Sequence, residues 1–409
     1  MRKIALTILL FVWAVMGALA DGIAITHGPY LQNVGETEAT FVWVANKPSI
    51  GWVELAPDDG TNYYAVERPK FFDTTNGVKN TSTLHSVKVK GLKPGTNYRY
   101  RVYVTEVLSH KSWIVNYGRT DAIDVFYGQP PMFRTNDTKK AETSFAVVND
   151  IHARAGDITK LMNVANYKQK DMVIFNGDML SNLTSEEQIF TGFMDESIKL
   201  FAKEKPLYYV RGNHETRGEY ATMCQKYFSP KEPHLYYMFS QGPVCFIMLD
   251  TGEDKPDTDL EYSGITDYDN YRNEQAEWLA QVVKSEEYRR AKWHVVVGHI
   301  PPRPVKDMWH GQYEVLRKFV RFLSKETISF QREHEIITIS LYGTFHFLAR
   351  HSHKLLPGTL FNNVGSYTIR IGCLLLLVMT YFYCHIDFGI IFWHQYQIII
   401  YEKHTTKRI

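Results

Sequence analysis

Four short segments of the chain set carboxylate, imidazole and carboxamide side chains beside one another: Asp150-Ile151-His152, Gly177-Asp178, Gly212-Asn213-His214-Glu215 and Gly298-His299. These are hard or borderline metal-ligand types, and glycine lets the backbone come close to a bound group. Asp150 and His152 stand two residues apart, so both side chains can turn to one point. Singly each segment is weak, since an isolated Gly-Asp is usually a turn and an isolated Gly-His is more often a hydrogen-bonded structural residue. All four follow apolar runs in one chain, and that joint pattern points to a metal centre rather than coincidence.

The apolar runs have strand length. They cover residues 144–148, 172–175, 207–210, 244–249, 293–297 and 336–341, and between them lie segments long enough for helices at 158–167, 186–201 and 273–287. This alternation predicts a layered α/β/β/α domain whose chemistry sits at strand-to-loop junctions. The residues before it read differently. Runs at 39–44, 51–55, 85–89 and 98–102 alternate with period two between Pro, Gly and Asn clusters, which predicts an antiparallel β-sandwich with one solvated face per sheet. Residues 135–143 are polar and unpatterned, a linker. The expected class is therefore multi-domain α+β: a signal peptide at 1–20, a β-sandwich at 21–137, the layered domain at 141–365 and an atypical tail at 366–409.

The order DxH, GD, GNHE and GH resembles the calcineurin-like metallophosphoesterase superfamily over residues 144–346. The turn Gly91-Leu92-Lys93-Pro94-Gly95-Thr96-Asn97-Tyr98 and its flanking strands resemble the fibronectin-type-III-like N-terminal domain of purple acid phosphatases. The resemblance implies that Asp150 and His152 bind a first metal, that Asp178 bridges two metals, and that Asn213 and His299 bind the second. His346, in Gly343-Thr344-Phe345-His346, would complete the first. His214 would stand beside the phosphate as the catalytic residue; next to the ligand Asn213 it could donate a proton to the leaving alkoxide or stabilise the developing charge, with Glu215 holding its ring. The implied cofactors are two divalent or trivalent ions (Fe, Mn or Zn) about 3.5 Å apart, which make a bridging hydroxide available near neutral pH. The implied function is hydrolysis of a small-molecule phosphomonoester or phosphodiester.

The chain departs from the family in three places. The purple enzymes carry a tyrosine three residues after the bridging aspartate, and Ser181 stands there, so the iron-tyrosinate colour is expected to be absent while His152 fills the coordination position. Thr344 replaces an imidazole expected for the second metal, and a hydroxyl is a poor ligand beside imidazole; His351-Ser352-His353 offers another His-x-His without the preceding strand and glycine. Beyond about residue 365 the tail is erratic: 371–383 is nearly all apolar or aromatic, and His385 and Asp387 interrupt the run that follows. It reads either as a membrane anchor or, preferred here, as an altered reading frame that damages the last strands. A catalytically impaired relic acting as a surface binding module is the alternative function.

Bulk composition sets limits. The 409 residues hold 46 basic and 44 acidic side chains, a net charge of +2, with no basic stripe interleaved with aromatics, so nucleic acid is not an expected partner. Arg2 and Lys3, an apolar run and Ala18-Leu19-Ala20 fit a signal peptide, which implies a secreted or periplasmic enzyme. Cys224 and Cys245 are open to a disulfide or to two buried thiols. Trp43, Trp52 and Trp293 are expected in the core.

Overall fold

The computed structural model describes residues 22–123, 128–300 and 308–323 with their side chains, and beyond them the backbone of short strands between 335 and 402. The expected signal peptide, His346, the His351/His353 pair, Cys373 and Cys384 lie outside the described residues. The chain divides into two units, one of Met1–Tyr30, Thr40–Val89 and Asn97–Phe133, the other of Leu31–Ala39, Lys90–Thr96 and Arg134–Ile409.

The first unit is built from antiparallel strands, chiefly Ile25–Gln32, Glu38–Pro57, Ser82–Lys90, Asn97–Lys111 and Ile114–Ala122. Period-two burial is plain in Ser82–Lys90, where His85, Val87 and Val89 are buried and Ser86 and Lys88 between them are not. The runs at 39–44 and 51–55 do not form two strands. They lie on the single strand Glu38–Pro57, which pairs with Ile25–Gln32, Ser82–Lys90 and Asn97–Lys111, the last with Val53 opposite Val102. Trp43 is fully buried. Trp52, by contrast, is only half-buried and stacks on Tyr103 with centroids 4.8 Å apart: residues 43 and 52 differ by an odd number, so a pleated strand presents them to opposite faces.

In the second unit, Phe145–Asn149, Met172–Asn176 and Leu207–Val210 run parallel, with Val147 opposite Ile174 and Ile174 opposite Tyr208. The antiparallel strand Tyr396–Glu402 lies on the other side of Phe145–Asn149, followed by Asp387–Trp393 and Leu376–Met379. The tail thus contributes backbone strands to the six-stranded sheet. Among the described residues no helix is long and apolar enough to cross a membrane. A second, five-stranded sheet sets Val244–Leu249, Trp293–Gly298 and Glu335–Ile339 parallel, with Tyr237–Gln241 antiparallel at one edge.

The two sheets face each other. Phe145, Val147, Met172, Ile174, Tyr208 and Val210 of one meet Phe239, Phe246, Met248 and Val295 of the other in one buried cluster. Tyr208 and Phe239 stack at 3.7 Å, Phe239 and Phe246 at 4.8 Å. The alternate residues Cys245, Ile247 and Leu249 point away from this layer and pack against Ala276, Leu279 and Val282 of the helix Tyr268–Val282. With both faces covered, every residue of these strands is buried, which is why the sequence shows continuous apolar runs instead of alternation. Phe246→Ala, at the centre of the inter-sheet stack, is expected to cost about 3–5 kcal/mol by the lost transfer energy and the cavity left behind. Urea unfolding measures it, and a loss under about 1 kcal/mol would contradict this packing.

Cys224 and Cys245 are separate buried thiols, not a disulfide. Asn136 opens the triplet Asn136-Asp137-Thr138, which matches a glycosylation site, but it is closed to a glycan: its amide nitrogen donates to the Val34 carbonyl and lies 3.1 Å from the Tyr208 hydroxyl, all of it buried.

Candidate metal centre

The strands Phe145–Asn149, Met172–Asn176, Leu207–Val210 and Trp293–Gly298 end, respectively, just before Asp150, Gly177, Arg211 and His299. Parallel strands within each sheet present their carboxyl ends on one side, where open α/β sheets place their ligands. The loops that leave these ends are tied to one another. Asp150 N donates to Gly177 O, His152 N to Asp178 O and Ala153 N to Met179 O, so the first two motif loops run side by side. Asp150, His152, Ala153 and Asp178 all have positive φ, between 49° and 61°, a conformation that costs a non-glycine residue about 1–3 kcal/mol and clusters at functional sites.

Asp178 is the meeting point. Its Oδ2 lies 3.2 Å from His299 Nε2, 3.9 Å from His214 Nε2 and 4.0 Å from His152 Nε2. His152 Nε2 is also 3.9 Å from Asp150 Oδ1. Two overlapping groups of potential ligand atoms result, Asp150 with Asp178 and His299, and His152 with Asp178 and His214. Asp178, Asn213 and His299 are buried, whereas Asp150, His152 and His214 are partly open. Buried residues beside partly open ones leave the site accessible from one side, as a substrate approaching bound ions requires.

The imidazole orientations are set from behind. His299 Nδ1 faces the Asn176 carbonyl at 2.8 Å and His214 Nδ1 the Ser181 carbonyl at 2.9 Å. A carbonyl only accepts, so each Nδ1 carries the hydrogen and each Nε2 is turned towards Asp178. Glu215 does not hold the His214 ring, contrary to the expectation from its place next to it. Its carboxylate accepts from the backbone amides of Asp178, Leu180 and Gly212 instead. Ser181, read from sequence only as a missing tyrosine, therefore has a role of its own, with its hydroxyl 3.3 Å from His152 Nδ1 as well.

The electrostatics fit a cation site. Burial alone would push the Asp178 carboxyl up, but His299 and His214 hold it down at about 2. For His299 burial favours the neutral ring, yet Asp178 and Asp150 outweigh it and raise the imidazolium to about 10. Asp150 is raised, mainly by burial, and His152 is lowered, again mainly by burial. Asn213 Oδ1 is buried with no hydrogen-bond partner. An orphaned buried oxygen costs about 1–3 kcal/mol, and a metal ion would be a partner for it. On this observation the residues present fit the implied ions. Thr344 enters the description only as backbone in the two-residue strand Thr344–Phe345.

The sequence reading missed one strand end. Val244–Leu249 terminates at Asp250, which is fully buried, but this carboxylate pairs with Arg211 at 2.8 Å and accepts from Tyr271 at 3.0 Å. The signal was available, an aspartate directly after an apolar run. The aromatic segment 262–271 is likewise anchored: the Tyr262 hydroxyl donates to Glu253, which also receives Arg217 and Thr216.

Comparison with known proteins agrees with this architecture. Residues 143–336 match the calcineurin-like phosphoesterase family and residues 27–116 the purple acid phosphatase N-terminal domain. Purple acid phosphatase 21 of Arabidopsis thaliana is 22% identical over 256 residues, covering 60% of this chain and 49% of the relative. The structure of a purple acid phosphatase from yellow lupin (Lupinus luteus) seeds superimposes with a TM-score of 0.52 at 14% identity, over 72% of this chain and 56% of that one, a likeness of fold. The chain spans about half the length of the relatives it matches. The chain thus carries a purple acid phosphatase N-terminal domain ahead of a calcineurin-like phosphoesterase domain, and it is similar to the purple acid phosphatases.

Proposed function

We propose that this chain hydrolyses small phosphomonoesters or phosphodiesters at a two-metal centre formed by Asp150, His152, Asp178, Asn213 and His299, with His346 as a further ligand and His214 as the catalytic acid. The observation that carries the reading is the convergence on Asp178 Oδ2 of three imidazole Nε2 atoms within 4.0 Å, delivered by three separate loops. Bound ions, Fe, Mn or Zn, would supply an activated water at neutral pH and a clamp for the phosphate oxygens. The remaining work falls to the chain. Asp178, at the centre, would hold the ions together with its neighbours. His214, partly exposed and held through Nδ1 by Ser181, keeps Nε2 facing the site, where a proton can be passed to a leaving alkoxide. Secretion is part of the proposal, resting on Arg2, Lys3 and the apolar run after them. The test is to load purified protein with Mn, Zn or Fe and assay an activated aryl phosphate; no turnover with any of the three removes the reading.

The His299–Asp178 pair gives this proposal a pH signature. In the metal-free chain the raised imidazolium contributes stability that is complete below its ordinary 6.5 and is lost as pH rises through about 10. A cation needs the neutral ring, so metal uptake at pH 7 is expected to release a proton. Calorimetric titration in buffers of different ionisation enthalpy measures the release, and uptake with no proton released would contradict His299 as a ligand.

A further inference from the structure

We infer that Glu215 is a positioning residue, a carboxylate clasp that fixes the backbone of Asp178 against the loop carrying Asn213 and His214. The inference rests on the two-metal reading above. Glu215 is 1% exposed, and its oxygens are committed to backbone alone: Oε2 accepts from Asp178 N and Gly212 N, both at 2.9 Å, and Oε1 from Leu180 N at 2.8 Å. Two motif loops thus hang on one carboxyl group. The stitch is reciprocal, because His214 N donates to Asp178 Oδ1 at 3.1 Å.

The packing shows how close the clasp draws these loops. A Cβ on Gly212 would stand 2.2 Å from Asp178 Oδ1 and 2.9 Å from Glu215 Oε2, and one on Gly177 would stand 2.5 Å from Gly212 Cα. Glycine at both positions is therefore a condition of the contact, and at Gly177 the φ of 80° requires it as well. Asp178 sits at φ 54°, a strained conformation that persists only where surrounding bonds over-determine it. Its amide bond to Glu215 and its carboxylate bond from His214 do so. A carboxamide at 215 cannot reproduce the arrangement, since its NH2 would meet at least one N–H donor head-on.

The experiment compares Mn binding and turnover in the full chain, its Glu215→Gln variant and a control, Asp171→Asn. Asp171 accepts from Ser144 N at 2.8 Å and pairs with Lys140, a comparable backbone clasp at the opposite end of the same strands. Glu215→Gln is expected to weaken Mn binding about 10–100-fold, the range for partners that orient ligands, and to lower kcat, while Asp171→Asn keeps wild-type Mn affinity. Wild-type Mn affinity in Glu215→Gln, or an equal loss in Asp171→Asn, overturns the clasp and leaves the two-metal reading standing. Absence of Mn binding by the wild type overturns both. Should Glu215→Gln fail to fold, amide hydrogen exchange on the wild-type chain decides: protection of Asp178, Leu180 and Gly212 amides comparable with strand Phe145–Asn149 supports the clasp, and exchange at open-loop rates sinks it.

Discussion

Asp178→Asn is expected to lower kcat/KM by about a thousandfold or more, roughly 4 kcal/mol of transition-state stabilisation, and to cut metal content with it. The substitution keeps the shape and the acceptor oxygen for His214 N, so the loop geometry should survive. What it removes is the charge on which His152, His214 and His299 converge. Without that charge the burial of His299 is opposed only by Asp150 and the Asn176 carbonyl, because its raised protonation depends chiefly on Asp178. The variant should then hold a neutral buried imidazole. Steady-state kinetics with elemental analysis on the same sample checks the expectation. Full activity in a folded Asp178→Asn protein would remove the mechanism.

His214→Ala is expected to act differently, lowering kcat by about 10²–10⁴-fold, the usual worth of a positioned general acid, while leaving most of the metal in place. The loss should depend on the leaving group. An alkyl phosphate, whose alkoxide needs a proton, should suffer more than a nitrophenyl phosphate, whose phenolate does not. Kinetics on the two substrates measures the contrast. An equal loss on both, accompanied by loss of metal, would reassign His214 as a ligand, a role its distance of 3.9 Å from Asp178 Oδ2 also allows.

The strand ends were legible because burial on both faces leaves an uninterrupted apolar run, and several of these runs end within two residues of a potential ligand. Asp150, Asp178 and His299 were found in this way. What local sequence could not convey is which partner a side chain finds across the fold. Glu215 follows His214 directly, and spacing alone allows its carboxylate to meet either the ring or the amides of two loops. The helix expected to begin at 273 begins at Tyr268, because the Asp257 carboxylate accepts from the amides of Tyr268 and Asp269, each at 2.9 Å. That cap lies eleven residues away from the first amide it binds, beyond the reach of any local capping rule. The helix expected over 186–201 occupies that span, but with wider-turn segments at Phe190–Met194 and Ile198–Ala202. No residue pattern announces them. In the first unit, the runs at 39–44 and 51–55 were expected as separate strands, yet Glu38–Pro57 continues through both.

The claim that Asp178 is shared between two cations is tested most directly by anomalous diffraction from a crystal of the full chain grown with Mn. The account predicts two peaks, each within coordination distance of an Asp178 carboxylate oxygen, with Asp150 and His299 around them. A single peak, or peaks that leave Asp178 unligated, would contradict it.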